Sequence, residues 1–314
     1  MIKASHLSKS YGPKMALYDV NFSIGKGEVV GFLGPNGAGK STTMNLLCGY
    51  LEPTWGQVEI AGVDMAQQPL EARRHIGYLP EIPPLYMDMT VAEQLSFACE
   101  LRELPHRKAA RRAYIDSLCR RMELLDVRDR LIRNLSKGYR QRVAVTQLLV
   151  GSPEILILDE PTVGLDPRQI REFRDLLAQL AQEHTIILSS HILSEIRSSC
   201  GRILVFSEGE LIADGQPERL QEELSGRRVL LAEIQGGGEA VALALGALPD
   251  VLSVEAEGEG ETRRYRIAHR PGTDVRGAVY ETLKPLPCTL LALQPQEVSL
   301  ESLYLEITRR NEEP

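Results

Sequence analysis

This sequence predicts an α/β protein with an α-helical insertion, followed by a small α+β domain, and three observations carry that reading. First, Gly34-Pro35-Asn36-Gly37-Ala38-Gly39-Lys40-Ser41-Thr42 fits G-x-x-x-x-G-K-[ST] and lies between a short apolar strand, Glu28 to Leu33, and a helix start at Ser41 to Leu47. Second, two later stretches, Ile155 to Leu158 and Thr185 to Ser190, have the length and apolar content of buried parallel strands. Third, beyond Gly226 the segments follow the order β-α-β-β-α-β, which matches a ferredoxin-like unit.

Composition bounds the rest. The chain has 314 residues, 43% hydrophobic and 25% charged, which suits about two globular domains. We place a nucleotide-binding domain over 1–220, with its helical part at about 85–150, and an accessory domain over 226–314. A net charge of -7 argues against a nucleic-acid binder. The five cysteines are scattered without C-x-x-C spacing, so they read as reduced thiols of a cytosolic protein rather than a zinc site or disulfide framework. The N-terminus lacks the apolar core of a signal peptide, and no run approaches the ~20 apolar residues that cross a bilayer. Any membrane role therefore calls for another chain.

Along the chain, Ile2 to Leu7 and Ala16 to Ile24 read as paired strands. Tyr11, in the loop between them, is placed either to stack on an adenine ring or to pack on the surface. The phosphate loop follows. Its glycines let successive backbone N–H groups turn toward one ligand, and the helix N-terminus adds roughly half a positive charge. Lys40 would reach the β/γ-phosphates, and Ser41 would complete a Mg²⁺ shell. Gln57 to Gly62 is a further strand and turn. Ile76 to Glu81 reads as a strand ending in a loop, where Glu81 is either a Mg²⁺ or water ligand or a solvated acid.

From Thr90 to about Leu135 the pattern is helical, opened by the capping box Thr90-Val91-Ala92-Glu93. The basic run Arg107 to Arg112 is a solvated face or a contact for lipid headgroups or a partner, and Leu85 to Met89 is a docking surface or a partly buried loop. Ser136 is placed to cap the next helix, whose start, with the flexible Gly138, suits an anion. The strand Ile155 to Leu158 then delivers Asp159 and Glu160 to the sheet edge that carries the phosphate loop. There Asp159 would hold Mg²⁺ and Glu160 would polarise the attacking water, unless the two acids only cap the next turn. His191, at the end of the strand Thr185 to Ser190, is a candidate γ-phosphate contact or a structural histidine.

With these pieces in order, residues 1 to about 220 resemble the ATP-binding subunit of ABC transporters, a P-loop NTPase family. The resemblance rests on Gly34 to Thr42, the signature segment Leu135 to Gln141, the acidic strand Ile155 to Glu160, the loop Val163 to Asp166, and the switch histidine His191. It implies an ATP hydrolase that uses Mg²⁺, with ATP lying between the phosphate loop of one subunit and Ser136 and Gly138 of a second copy packed head to tail. It also implies adenine stacking by Tyr11 and places Asp166 among the nucleotide-binding residues. The signature usually reads L-S-G-G-Q; here Leu135-Ser136-Lys137-Gly138-Tyr139 keeps the serine and second glycine and loses the amide. Glu81 replaces the usual glutamine. Both departures resemble the ABC-2-type exporter subgroup, whose membrane subunits are separately encoded. That predicts a homodimer in the cytoplasm, peripheral on the inner face of the membrane through an integral permease, with the helical insertion passing motion to it. The rival is a soluble regulatory ATPase of the translation or DNA-repair type, which brings a second cassette or a long coiled coil; neither is in this sequence.

The second domain reads as strand Arg228 to Ile234, helix Glu239 to Leu248, strands Val251 to Ala256 and Arg263 to Ala268, helix Asp274 to Leu283, strand Cys288 to Leu293 and a final helix Leu300 to Arg309. It holds no phosphate loop, metal cluster or nucleophile pair, so a dimer-stabilising or regulatory role is expected.

Overall fold

The computed structural model describes residues 1–104, 107–224, 228–258, 260–270 and 273–296. The expected final helix, Leu300 to Arg309, lies outside the described residues. Two compact units divide the chain, Met1–Gln216 and Pro217–Pro314.

In the first unit, β1 (Ile2–Tyr11) and β2 (Lys14–Ile24) form an antiparallel hairpin. The pairing runs past the expected end at Leu7 because register shifts, with His6 at φ 51° and Asp19 at φ 46°, let the ladder continue to Tyr11 opposite Lys14. β3 (Val29–Leu33) leaves for a second sheet and feeds the loop that opens α1 (Lys40–Leu47). β4 (Trp55–Ile60) returns beside β1, and β5 (Val63–Asp64) closes the edge. After α2 (Pro69–Arg74) and β6 (Ile76–Leu79) comes the helical insertion, with α3 (Val91–Leu101), α4 (Lys108–Arg121), two single 3₁₀ turns and α5 (Lys137–Leu148). The Thr90 capping box is present in full: the Thr90 hydroxyl accepts from the Glu93 N–H and the Glu93 carboxylate accepts from that of Thr90.

β7 (Ile155–Leu158), α6 (Pro167–Leu180), β8 (Thr185–Ser190), α7 (Leu193–Ser199), β9 (Arg202–Ser207) and β10 (Glu210–Gly215) complete the unit. The second sheet has the order β10-β9-β3-β8-β7-β6, with β10 antiparallel on one edge and the other five strands parallel. Leu33 lies beside Ser190, and Leu158 beside both Leu79 and Leu188. The carboxyl ends of β3, β8, β7 and β6 therefore meet at one edge, which is where a doubly wound sheet binds ligands.

α1 packs in a core shared with both sheets, which includes Phe22, Phe32, Met44, Leu47, Ile60, Ile157 and Phe206. The Phe32 ring stands 5.7 Å from Phe22 and 5.0 Å from Phe206, and burial of each such ring stabilises the unit by about 1.5–3 kcal/mol. A Cβ on Gly31 would stand 2.4 Å from Ile196 Cγ2, so glycine is what lets α7 lie against β3.

The second unit opens with α8 (Pro217–Leu224) and continues through β11 (Arg228–Gly236), α9 (Gly238–Gly246), β12 (Val251–Glu257), β13 (Thr262–His269), α10 (Arg276–Leu283) and β14 (Cys288–Gln296). Its sheet is antiparallel in the order β12-β13-β11-β14, the ferredoxin-like arrangement. Leu230, Ile234, Val241, Tyr265, Ile267 and Val279 are buried in one apolar cluster.

Candidate functional site

The loop Gly34 to Thr42 turns at Gly37 (φ 84°) and Gly39 (φ 107°), backbone conformations that side chains resist. Gly39 caps α1 with no side-chain hydrogen bond, so the first N–H groups of that helix are left for a ligand. Lys40 is 5% exposed and donates to the Gly34 carbonyl at 2.7 Å and the Pro35 carbonyl at 3.1 Å. Burial pulls its ammonium below the ordinary lysine range, and the charges of Glu160 and Asp159 counter part of that pull. Its Nζ lies 3.7 Å from Glu160 Oε1.

Beyond β7 the two acids are held by different means. Asp159 Oδ1 accepts from the Ser189 hydroxyl at 2.6 Å and the Ser41 hydroxyl at 3.2 Å. Glu160 adopts φ 47°, a left-handed conformation that costs a non-glycine residue roughly 1–2 kcal/mol. Its N–H donates to Ser189 Oγ at 2.8 Å, and its Oε2 lies 2.9 Å from His191 Nδ1. Oε1 is buried with no hydrogen-bond partner among the described residues. A carboxylate with one oxygen oriented by an imidazole and the other free of any hydrogen bond, with only the Lys40 ammonium 3.7 Å away, is equipped to accept a proton.

A cleft of about 390 Å³ brings together Asn36, Gly37, Gly39, Lys40, Ser41, Thr42, Glu81, Glu160 and His191, with Val163 beside them. Gly34, Pro35 and Ala38 form the rest of the loop, where the Ala38 N–H donates to the Pro35 carbonyl at 3.2 Å. Asp159 stands behind Ser41. Tyr11 ends β1, 47% exposed, with Lys9 Nζ 5.6 Å from its ring, and is not among the described residues lining the cleft. Ser136 caps α5, and with Gly138 it lines a separate depression of about 610 Å³ beside Gln169. Asp166 caps α6 by accepting from the Arg168 and Gln169 N–H groups, each at 2.9 Å. One chain thus joins the loop, the acids and His191, and holds Ser136 and Gly138 on another surface.

Sequence reasoning missed Ser189, and also a tie between the turns that follow β7 and β8. Glu195 Oε2 accepts from Thr162 Oγ1 at 2.6 Å and Ser190 Oγ at 3.1 Å. The available signal was the pair Ser189-Ser190, hydroxyls that follow the apolar run Ile186 to Leu188 at the end of a strand.

Ser41, Asp159 and Glu81 offer hard oxygen donors, which suit Mg²⁺ rather than zinc. No group of three or more His, Cys, Asp or Glu among the described residues could hold a metal alone. A Mg²⁺ ion here would draw its other ligands from phosphate and water, as it commonly does.

Comparison with known proteins agrees with this geometry. Residues 17–163 match the family described as ABC transporter. The chain is 32% identical over 314 residues to the linearmycin resistance ATP-binding protein LnrL of Bacillus subtilis (strain 168), covering 99% of each. To the bacitracin transport ATP-binding protein BcrA of Bacillus licheniformis it is 35% identical over 309 residues, covering 98% of this chain and 97% of that one. A solved dimeric ATP-binding cassette in a post-hydrolysis state, bound to ADP and Pi, superposes with a TM-score of 0.63 at 27% identity, covering 69% of this chain and 98% of its own. The chain belongs to the ABC transporter ATP-binding proteins, of the ABC-2 exporter type, and is an ATP hydrolase. The expected α/β fold with its small C-terminal domain is met. No helix among the described residues is long and apolar enough to cross a membrane.

Proposed function

We propose that two copies of this chain close head to tail over two ATP molecules and so power export through a separately encoded permease on the inner face of the membrane. One observation carries the reading: Lys40 and Glu160 share a cleft that Ser136 and Gly138 of the same chain do not line. A γ-phosphate enclosed on all sides then needs the signature surface of a second copy.

In this reading the loop N–H groups and Lys40 grip the phosphates, so Lys40 must leave the Gly34 and Pro35 carbonyls as nucleotide enters. Ser41, Asp159 and Glu81 would hold Mg²⁺, which would supply charge neutralisation to the nucleotide. Glu160 takes the proton of the attacking water, and His191 fixes the orientation of its carboxylate. Tyr11 stacks on the adenine, and Asp166 fixes the loop that meets the second copy. Nucleotide favours the closed dimer because only that state contacts it from both sides, and cleavage removes the difference.

A groove of about 570 Å³ lined by Tyr50, Arg73, Arg74, Tyr78, Pro80 and Pro84 supports coupling to the permease, since Pro80 and Pro84 flank Glu81 in the chain. The names of the two full-length relatives concern linearmycin and bacitracin, which favours antibiotic-type cargo. Glu160→Gln tests the mechanism. The variant is expected to bind ATP, to lose at least about 10²-fold in kcat, and to run as a dimer in size exclusion with ATP. Turnover at the unaltered rate refutes the base, and a monomer in ATP refutes the shared site.

A further inference from the structure

We propose that Ser189 is a positioning residue for ATP hydrolysis, its hydroxyl locking Asp159 and Glu160 into one unit. The proposal rests on the roles given above to those two acids.

Ser189 is fully buried on β8, the strand beside β7. A hydroxyl has one proton to donate and two lone pairs to accept with. Ser189 Oγ donates to Asp159 Oδ1 at 2.6 Å, short as expected for a charge-assisted bond, and accepts from the Glu160 N–H at 2.8 Å. The ladder explains why the second bond is needed. Paired residues of β7 and β6 end at Leu158 and Leu79, and the next N–H, that of Asp159, still reaches the Leu79 carbonyl at 2.8 Å. At Glu160 the backbone swings to φ 47° and leaves the sheet, so the Ser189 side chain satisfies a buried N–H that no strand reaches.

Both contacts bear on chemistry. With Oδ1 held by Ser189 and Ser41, Asp159 has little freedom to rotate about its carboxyl bond. With its N–H held, Glu160 stays in the left-handed turn that brings Oε2 to His191. An apolar side chain at 189 fills space without making either bond, and outer partners of this kind typically alter metal affinity or rate by 10–100-fold.

The test compares full-length Ser189→Ala, Ser189→Cys and Ser189→Thr below their melting temperatures. Ala is expected to lower kcat by about 10–100-fold with a KM for ATP within a few fold of the parent. It should also shrink the gain in ATP affinity that Mg²⁺ brings, read with a fluorescent ATP analogue, while affinity in EDTA stays unchanged. Cys fills the same space with a weak donor and should behave like Ala even if Ala itself does not fold. Thr keeps the hydroxyl and should restore kcat. The proposal is overturned if folded Ala or Cys turns over at the parent rate, or if lost activity tracks only the folded fraction. Unaltered hydrolysis by Glu160→Gln removes the base assignment, yet the Mg²⁺-dependent affinity of Ser189→Ala still reports on the hold over Asp159.

Discussion

Lys40, Asp159 and Glu160 in the first unit are each at least nine-tenths buried, and Glu160 also sits in a disfavoured backbone conformation. Among the described residues of the second unit, no Asp, Glu, Lys or Arg is buried. Arg264, Arg266, Glu255 and Glu257 are exposed on β12 and β13, where Glu255 faces Arg266 and Glu257 faces Arg264 across the strands. Tyr265 is enclosed in its core with the hydroxyl bonded to the Gly238 carbonyl at 3.1 Å. Burying an ion costs several kcal/mol even after relaxation, so a fold that only had to be stable would look like the second unit throughout. The first accepts that cost along one sheet edge, where perturbed and buried ionisable groups mark chemistry.

The largest expected effect separates the two units directly. Lys40→Ala removes a cation whose Nζ lies against the loop carbonyls and Glu160, and should weaken ATP binding by about a hundredfold, or roughly 3 kcal/mol. Arg264→Ala, on the exposed face of the second unit, should leave the titration unchanged within twofold. Equal losses in the two variants would break the comparison, because the second unit would then contribute to nucleotide binding.

A middle-sized effect sharpens it. Ile157 and Ile267 are both fully buried aliphatics in the centre of a sheet, so each truncation to alanine should cost about 2–5 kcal/mol. Calorimetry with and without ATP distinguishes them. If nucleotide binds the folded first unit alone, as proposed, it should raise the transition lowered by Ile157→Ala and leave the one lowered by Ile267→Ala in place. An equal ATP shift in both would mean that the units unfold together.

What the sequence made legible follows the same division. The loop, the acidic strand and His191 are local patterns, each set by what a few neighbouring residues can do, and the structure places them at one edge. The order β-α-β-β-α-β was legible for the same reason, since the helical and strand periodicities of that stretch switch cleanly. Contacts between strands distant in sequence were not legible. Ser189 meets Asp159 across thirty positions of chain, and the hydroxyl pair Ser189-Ser190 marks a polar strand end without naming the partner it reaches. β9 shows an apolar run, Ile203 to Phe206, before the turn Glu208-Gly209, but β10 mixes polar and apolar residues on a sheet edge and gives no comparable signal. That Ser136 and Gly138 lie off the cleft is a matter of tertiary distance, which spacing alone does not encode.

The smallest effect tests whether charge on the second unit's surface carries anything at all. Glu257 Oε1 lies 3.7 Å from Arg266 Nη1, and both side chains are about half exposed, at 55% and 43%. Solvent screens such a pair, so Glu257→Ala should change unfolding free energy by less than about 1 kcal/mol, and that small change should shrink further at high salt. A loss well above that size, insensitive to salt, would mean that the pair is buried against another surface in solution. The face of β12 and β13 would then be an interface, and the contrast between a chemical unit and a merely stable one would have to be redrawn there.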